Sequence, residues 1–454
     1  MLPIVTPAEM AAFDAAATES VDVLIDRAGR AVARTAIEML GGTYGRRVVV
    51  IAGKGNNGND GRSAAARLER SGVRVVIVDA TDAGTIPECD LVIDAAYGTG
   101  FRGRWPAPDV GDTPVLAVDI PSGVDGLTGA ANGPVLMAHR TITFAAIKPG
   151  LLFEPGRHLA GAIEIADIGL RVGPVATHLV EAADVRDWVP ARANDAHKWR
   201  TAVWVVGGSR GMTGAAHLAA RGAQRAGAGY VRLSVPAVTA DDSAPTEVVS
   251  VALPAAPWAD AVLGGLDRVH ALVVGPGLGR ADSTGESLRA LVRAAPLPMV
   301  VDGDGLVALA WSSEGATAVL RGRENPTVLT PHDGEYAVLR GARVGPDRIA
   351  AARDLARDLD VVVLLKGPTT VIGAPDGSAL VVVTGDERLA TAGTGDVLAG
   401  VIGALLARRV PAFEAAAAGA WLHGQAARHG AADGFVAGDL PDLLPRAFAD
   451  AVGR

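Results

Sequence analysis

Arg47-Val48-Val49-Val50-Ile51-Ala52 runs without a break into Gly53-Lys54-Gly55-Asn56-Asn57-Gly58-Asn59-Asp60-Gly61. A short β-branched run bounded by glycines reads as a fully buried strand, and the glycines after it let backbone approach a ligand closely. Outward from this pair, aliphatic runs recur at 73–78, Leu91–Ala95 and 115–120, each followed by a polar or glycine-rich loop. Apolar residues at three- and four-residue spacing over 8–17 and 23–40, and a helical stretch at 62–70, lie between and before them. Alternating strand and helix signals predict an α/β fold with a mostly parallel sheet, helices on both faces and ligands at the carboxyl ends of the strands.

The pattern breaks near residues 170–200, where the chain is mixed, polar and proline-containing, as expected of a join between domains. A second α/β series begins at Ala202–Val206 and continues through 230–235, Ala271–Val274, 298–301, Thr327–Leu329 and 361–365, ending in apolar helices over 394–408 and 411–428. The expected division is a Rossmann-like three-layer domain over 1–178 and a second α/β domain over 179–454. A chain of 454 residues, with 49% hydrophobic and 20% charged residues, has the material for two such cores. Its net charge of −8 argues against a nucleic-acid partner, because phosphate backbones need a basic surface. One cysteine, Cys89, permits no intramolecular disulfide. No signal peptide or bilayer-spanning run of about 18 apolar residues is evident, so a cytoplasmic protein without a membrane partner is expected.

Gly53 to Gly58 satisfy G-x-G-x-x-G, and Asp79 follows at the end of the next strand, so an ordinary dehydrogenase is one reading. Asn59, Asp60 and Gly61 are expected to prolong the loop with polar groups, making a site for polar ligand atoms or a cation; a solvated turn is the plain alternative. Two more apolar runs end the same way: Asp94 leads to Tyr97-Gly98-Thr99-Gly100-Phe101-Arg102-Gly103, and Asp119 to Ile120-Pro121-Ser122-Gly123-Val124-Asp125. An acid closing an apolar strand is costly to bury alone, so three such ends describe a pocket.

In the second half, Gly393-Thr394-Gly395-Asp396 opens a long apolar helix, where free backbone N–H groups and the helix dipole favour an anion. Asp396 cannot itself bind an anion; it is either a cap or a proton acceptor beside a phosphate. Lys366-Gly367-Pro368-Thr369-Thr370, Gly275-Pro276-Gly277-Leu278-Gly279, Asp302 and Thr330-Pro331-His332-Asp333-Gly334-Glu335 close neighbouring strands, and no P-loop is present. The nine histidines show no zinc-ligand spacing. His197 and Lys198 read as structural, and Trp199 and Trp204 as core.

Gly-x-Gly-Asn-Asn-Gly-x-Asp-Gly, Asp-Ala-x-x-Gly-Thr-Gly and Val-Asp-Ile-Pro-Ser-Gly-x-Asp, in this order, resemble the NAD(P)H-hydrate epimerases. The resemblance implies that Asn56, Asn57, Gly58, Asn59, Asp60, Gly98, Thr99, Gly100, Phe101, Arg102, Gly103, Arg104 and Asp119 contact the hydrated nicotinamide nucleotide. It also implies a K⁺ site at Asn57, Asp94 and Ser122, with Asp119 as the acid/base group. Asn59 stands where the family usually has glycine. The Gly-Thr-Gly-Asp loop resembles the ribokinase-like superfamily. Asp195-Ala196-His197-Lys198, Gly207-Gly208-Ser209, Thr330 to Glu335 and Ala392 to Gly400 narrow this to the NAD(P)H-hydrate dehydratases. That likeness implies adenine nucleotide at Lys366, Gly367, Pro368, Thr369, Thr370 and Gly395, and hydrate at Ala215, Gly277, His332 and Asp396. Asp302-Gly303-Asp304 and Ala392 depart slightly from the usual pattern.

The fused order is similar to the bifunctional NAD(P)H-hydrate repair enzymes. The expectations are epimerisation of R- and S-NAD(P)HX, then dehydration of the S form with ADP as phosphoryl donor and Mg²⁺, releasing AMP and phosphate. The substrates would be NADHX and NADPHX, and the protein a homo-oligomer. A small-molecule kinase acting on a hydroxymethylpyrimidine, thiazole or sugar alcohol shares the second loop but leaves the first domain without purpose. A non-catalytic nucleotide sensor would more naturally lack Asp119 or Asp396.

Overall fold

The computed structural model describes residues 1–82, 84–192, 194–238 and 243–453. Two compact units divide the chain, residues 2–177 and residues 178–454, with Met1 grouped with the second.

The first unit is built on six parallel strands, β1 (Arg47–Ala52), β2 (Arg74–Asp79), β3 (Leu91–Ala95), β4 (Val115–Val118), β5 (Arg140–Phe144) and β6 (Ala162–Ala166), in the order β2-β1-β3-β4-β5-β6. Their registers align Ile51 with Asp94 and Asp94 with Ala117, so the loops after β1, β3 and β4 share one edge. The helix α1 (Val21–Leu40) buries Ala28, Val32, Ala33 and Ala36 in the core above the sheet.

The helix after β1 corrects the sequence reading. It begins at Asn56, not after Gly61: α2 spans Asn56–Arg70, with Gly55 as N-cap. Gly58 and Gly61 do not break it, because both are sites of close packing. A Cβ on Gly58 would fall 1.9 Å from the Gly53 carbonyl oxygen, and one on Gly61 2.5 Å from the Ala95 Cβ. Tertiary approach outweighs the helix penalty of glycine, about 1 kcal/mol. The run expected over 115–120 stops at Val118, because Asp119 takes φ +67° in a tight turn closed by the Ile120 N–H on the Val118 carbonyl, 2.9 Å. Strands β5 and β6, whose alternating sequences carry a strand signal, complete the sheet.

The second unit carries β7 (Ala202–Val206), β8 (Tyr230–Ser234), β9 (Val249–Ser250), β10 (Ala271–Val274), β11 (Met299–Val301), β12 (Thr327–Leu329), β13 (Val362–Leu365), β14 (Thr370–Gly373) and β15 (Ala379–Val382). Their order is β15-β14-β13-β12-β11-β10-β7-β8-β9. All pairs from β13 to β9 are parallel, and β14 and β15 are antiparallel. The α/β class expected of both halves is what the chain forms. The β14–β15 hairpin was not anticipated, although Pro375-Asp376-Gly377 between aliphatic runs is a turn signal.

Two helices pack on this sheet almost without side chains between them: α3 (Gly214–Arg225) and α4 (Thr394–Ala407), the helix that opens with the Gly-Thr-Gly-Asp loop. A Cβ on Gly400 would lie 1.9 Å from the Ala219 carbonyl oxygen, and one on Gly222 2.5 Å from the Val397 carbonyl oxygen. Backbone meets backbone here, so no rotamer change can relieve an added methyl. Gly400→Ala is therefore expected to lower the unfolding free energy by about 2–3 kcal/mol in urea denaturation. Gly345→Ala, where a Cβ meets nothing within 4 Å, should leave it within about 0.5 kcal/mol. Equal midpoints for the two variants would contradict this packing.

Candidate active sites

In the first unit, the loops after β1, β3 and β4 surround a cavity of about 550 Å³. Asn56, Asn57, Asp60, Gly98, Thr99, Gly100, Phe101 and Asp119 all line it. Gly58 packs under the loop instead, and Asn59 is exposed on α2 with its Oδ1 3.4 Å from Arg62 Nη1. Arg102, Gly103 and Arg104 lie outside the lining, with Arg102 donating to the carbonyls of Thr99 and Phe101.

Asp119 is held by partners that sequence reasoning missed. Lys148 Nζ donates to Asp119 Oδ1 at 2.6 Å, to Thr143 Oγ1 at 2.9 Å and to the Phe144 carbonyl at 2.9 Å, while Thr143 Oγ1 donates to Asp119 Oδ1 at 3.1 Å. The Lys148 side chain is only 1% exposed and Asp119 16%. A single lysine after a strand is a weak signal; its apolar neighbours Ile147 and Leu151 were the clue that it is buried. Asp14, from a helix at Pro7–Ala15, also faces the cavity. Burial pushes the Asp60 carboxyl up to about 8, with Asp119 and Asp14 adding like-charge repulsion. Asp14 is raised too, by burial first.

Asp94 and Ser122 sit fully buried beside this cavity's floor. The Asp94 carboxylate accepts Ser122 N–H at 2.9 Å, Ser122 Oγ–H at 2.6 Å and Ala96 N–H at 3.3 Å. Burial still raises its pKa. Both polar atoms of the Asn57 amide are buried without a hydrogen-bond partner among the described residues, an arrangement that ordinarily costs about 1–3 kcal/mol per group.

In the second unit, the carboxyl ends of β11, β12 and β13 meet the N-terminus of α4. Lys366 Nζ donates to Asp302 Oδ1 at 2.8 Å and lies 3.6 Å from Glu335, while Thr330 Oγ1 donates to Asp302 at 2.7 Å. A Cβ on Gly395 would be 3.3 Å from Lys366 Nζ and 4.0 Å from Asp302 Oδ2, which places the Gly-Thr-Gly-Asp backbone against this pair. Gly367, Pro368 and Thr369 form the turn from β13 into β14, which opens with Thr370.

Asp396 occupies the third position of α4 and accepts no hydrogen bond among the described residues. Burial pushes its carboxyl up to about 7, with repulsion from Asp302, Glu335 and Asp304 opposed by Lys366. For Lys366, burial works against the ammonium, and the carboxylates of Asp302, Glu335 and Asp396 more than offset it, so its pKa is raised. Beneath the loop, His423 Nε2 lies 2.8 Å from the Thr394 carbonyl. Burial lowers its pKa to about 4, so the ring is neutral and Nε2–H donates.

Gly277 packs against Ala215, where a Cβ would come within 2.9 Å of the Ala215 methyl. His332 caps the helix at Asp333–Arg340: its Nδ1 accepts the N–H groups of Gly334 and Glu335 at 3.0 and 3.2 Å. Asp302, Glu335 and Thr330 joined the cluster without having been assigned roles in advance, although each belonged to a strand-end motif.

Each unit has a counterpart among known families. The family described as NAD(P)H-hydrate dehydratase matches residues 203–449. The family described as YjeF-related protein N-terminus matches residues 21–85 and 77–150. The bifunctional NAD(P)H-hydrate repair enzyme of Moorella thermoacetica is 38% identical, over 97% of this chain and 96% of its own length. Its Mycobacterium tuberculosis counterpart is 39% identical over 83% and 82%. Among solved structures, the ADP/ATP-dependent NAD(P)H-hydrate dehydratase from Bacillus subtilis, co-crystallised with ATP/Mg²⁺, is 29% identical with a TM-score of 0.50 over 60% of this chain and 97% of its own. A ribokinase-like superfamily protein from Enterococcus faecalis, 20% identical over 62% and 98%, shares the fold with a TM-score of 0.54. No helix among the described residues is long and apolar enough to cross a membrane. With both units matched, in the fused order and over nearly the full length of its relatives, the chain belongs to the bifunctional NAD(P)H-hydrate repair enzymes, uniting epimerase and dehydratase domains.

Proposed function

We propose that the chain repairs NADHX and NADPHX in the cytoplasm, with residues 1–178 epimerising the hydrate and residues 179–454 dehydrating its S form at the expense of ADP. The observation that carries the reading is the place of Asp396: a half-buried carboxylate that accepts no hydrogen bond among the described residues, set in the amide-rich first turn of α4 near Lys366, with its pKa pushed up to about 7 by burial and neighbouring acids. A base needs a pKa near working pH and an open acceptor toward its substrate, and Asp396 offers both.

In the dehydratase unit, Lys366, Gly367, Pro368, Thr369, Thr370 and Gly395 hold the nucleotide, whose terminal phosphate faces the α4 amides. Ala215, Gly277 and His332 line the hydrate side. Asp396 takes the proton from the ring hydroxyl as its oxygen bonds the transferred phosphorus and AMP leaves. Phosphate then departs with the C–O bond electrons, and the ring regains its double bond on losing a proton. Asp302, Glu335 and Asp396 outnumber Lys366, but among the described residues no three His, Cys, Asp or Glu side chains converge to hold a metal ion, so a divalent ion would come with the nucleotide's phosphates. Mg²⁺ bound there would screen the phosphates from these acids.

In the epimerase unit, Asn56, Asn57, Gly58, Asn59, Asp60, Gly98, Thr99, Gly100, Phe101, Arg102, Gly103, Arg104 and Asp119 are assigned to the hydrate. Asp119 serves as acid/base group, and Lys148 positions it. Asn57, Asp94 and Ser122 suit K⁺: all three offer oxygen donors, and the unpartnered Asn57 amide together with the buried Asp94 charge lack a cation's compensation. K⁺ there would fix the first turn of α2, which carries Asn57, against the end of β3.

Three outcomes test this. Asp396→Asn should cut the ADP-dependent recovery of 340-nm absorbance by roughly 10²–10⁴-fold while epimerisation stays intact. A variant that dehydrates at near-normal rate removes Asp396 from the mechanism, and a stable phosphorylated product would favour a kinase instead. The active form is the carboxylate, so dehydratase kcat/KM should climb tenfold per pH unit below about 7 and level off above it; a flat profile from pH 5 to 8 would contradict the assignment. For Asp60 the raised pKa acts on stability, with the opposite pH trend. Its pKa is about 8 folded against an ordinary 3.8, so its contribution is fully present below about pH 4 and is lost as pH rises toward 8. Asp60→Asn should therefore raise Tm at pH 7 by at least about 3 °C, with little change at pH 4, while epimerisation slows if Asp60 touches the hydrate.

A further inference from the structure

At the far end of α4 from Asp396, about 20 Å away along a helix of this length, the second unit opens a cavity of about 920 Å³. Arg192, Arg200, Arg268, Arg408 and Arg409 line it, against one lining carboxylate, Asp267. This concentration of positive charge occurs in a chain of net charge −8.

Local carboxylates pair with two of the five. Arg200 forks onto Asp195 at 2.7 and 2.6 Å. Arg268 lies 3.5 Å from Asp267 and over the Trp199 ring at 5.4 Å. Among the described residues, no carboxylate comes within ion-pair distance of Arg192, Arg408 or Arg409. Arg408 is tied to backbone, donating to the Ala226 and Pro190 carbonyls. Burial and the neighbouring Arg192 lower its pKa, the signature of uncompensated charge.

Two of these arginines also sit in unfavourable backbone. Arg268 has φ +60° and Arg409 φ +65°, the left-handed region where glycine is far easier to accommodate. The negative C-terminal end of α4 explains cations at Arg408 and Arg409. It explains neither Arg268 nor Arg192, which come from other segments and face the same space. We propose that this cavity binds a small anion carrying two or more phosphate groups, at a site distinct from the Gly393–Asp396 loop. Several guanidinium groups around a space far larger than one phosphate suit an anion that carries more than one.

The left-handed backbone supplies a clean test, because Arg268→Gly and Arg409→Gly remove charge while relieving the backbone. The full chain and the double variant would be titrated calorimetrically with inorganic tripolyphosphate, and separately with ATP, at low salt. The double variant should bind tripolyphosphate about tenfold more weakly or worse, the scale of one lost charge-assisted hydrogen bond. Its Tm should be equal or higher, and its dehydratase KM for nucleotide unchanged. Loss with both probes identifies the polyphosphate chain as the recognised group; loss with ATP alone identifies a nucleotide. Undiminished binding of both probes would overturn the proposal. So would a fall in oligomeric mass by light scattering, which would make the cavity a contact between copies. Neither result bears on Asp396, so the repair reading stands or falls separately.

Discussion

A lysine ammonium held out of water against a strand-end aspartate anchors each of the two units. In the first, Lys148 reaches Asp119 at 2.6 Å; in the second, Lys366 reaches Asp302 at 2.8 Å. The partners are 29 and 64 residues apart, so each contact exists only once its sheet is assembled. Breaking one partner of a buried pair leaves an uncompensated charge and typically costs about 3–5 kcal/mol. Each pair therefore ties its site to the integrity of the strands behind it. Parallel pairing supplies the other half of the constraint, because it brings Asp94 and Asp119, or Asp302 and Thr330, to one edge where their polar ends can share partners.

Glycine makes these edges approachable. A Cβ on Gly53 would meet the Ala96 carbonyl oxygen at 1.9 Å, so the loop after β1 lies flush on the end of β3. In the second unit, a side chain at Gly395 would crowd Lys366 Nζ and hold the first turn of α4 away from the charged pair. Deeper along the same helix, Gly400 lets α3 and α4 touch through their backbones. Catalytic-loop placement and helix packing thus use one device at two depths, and the abundance of glycine follows from it.

The strand series, both glycine loops and the strand-end acids were legible in sequence because they depend on local pattern: aliphatic runs stopped by glycine and aspartate. What was not legible depends on contacts made across the fold. The start of α2 at Asn56 was hidden because Gly58 and Gly61 argue locally against a helix, and only the closeness of Gly53 and Ala95 reverses that. Lys148 and Thr143 were hidden because a lone lysine and an alternating strand say nothing of their target. Asp14 reaches the first cavity from a helix with no motif at all. The resemblance assigns Arg102, Gly103 and Arg104 to the hydrate, and they lie just outside the cavity lining, Arg102 donating to the carbonyls of the lining residues Thr99 and Phe101.

The two sites differ in what they leave open. Asp119 is held by Lys148 and Thr143 through a single oxygen, Oδ1, which leaves Oδ2 toward Gly98 and the cavity. Asp396 has no donor of its own, and its nearest cation, Lys366, is already engaged with Asp302 and Glu335. Burial first, and then the neighbouring carboxylates, favour the protonated form and lift Asp396 to about 7. The same surplus of acids would repel a phosphate arriving at α4. Under the proposed chemistry the amide-rich helix start, Lys366 and a divalent ion must together outweigh that repulsion. An acid poised near neutrality is thus a consequence of burial reinforced by carboxylates crowded around one lysine, and under the proposed chemistry a cation brought by the ligand would relieve that crowding.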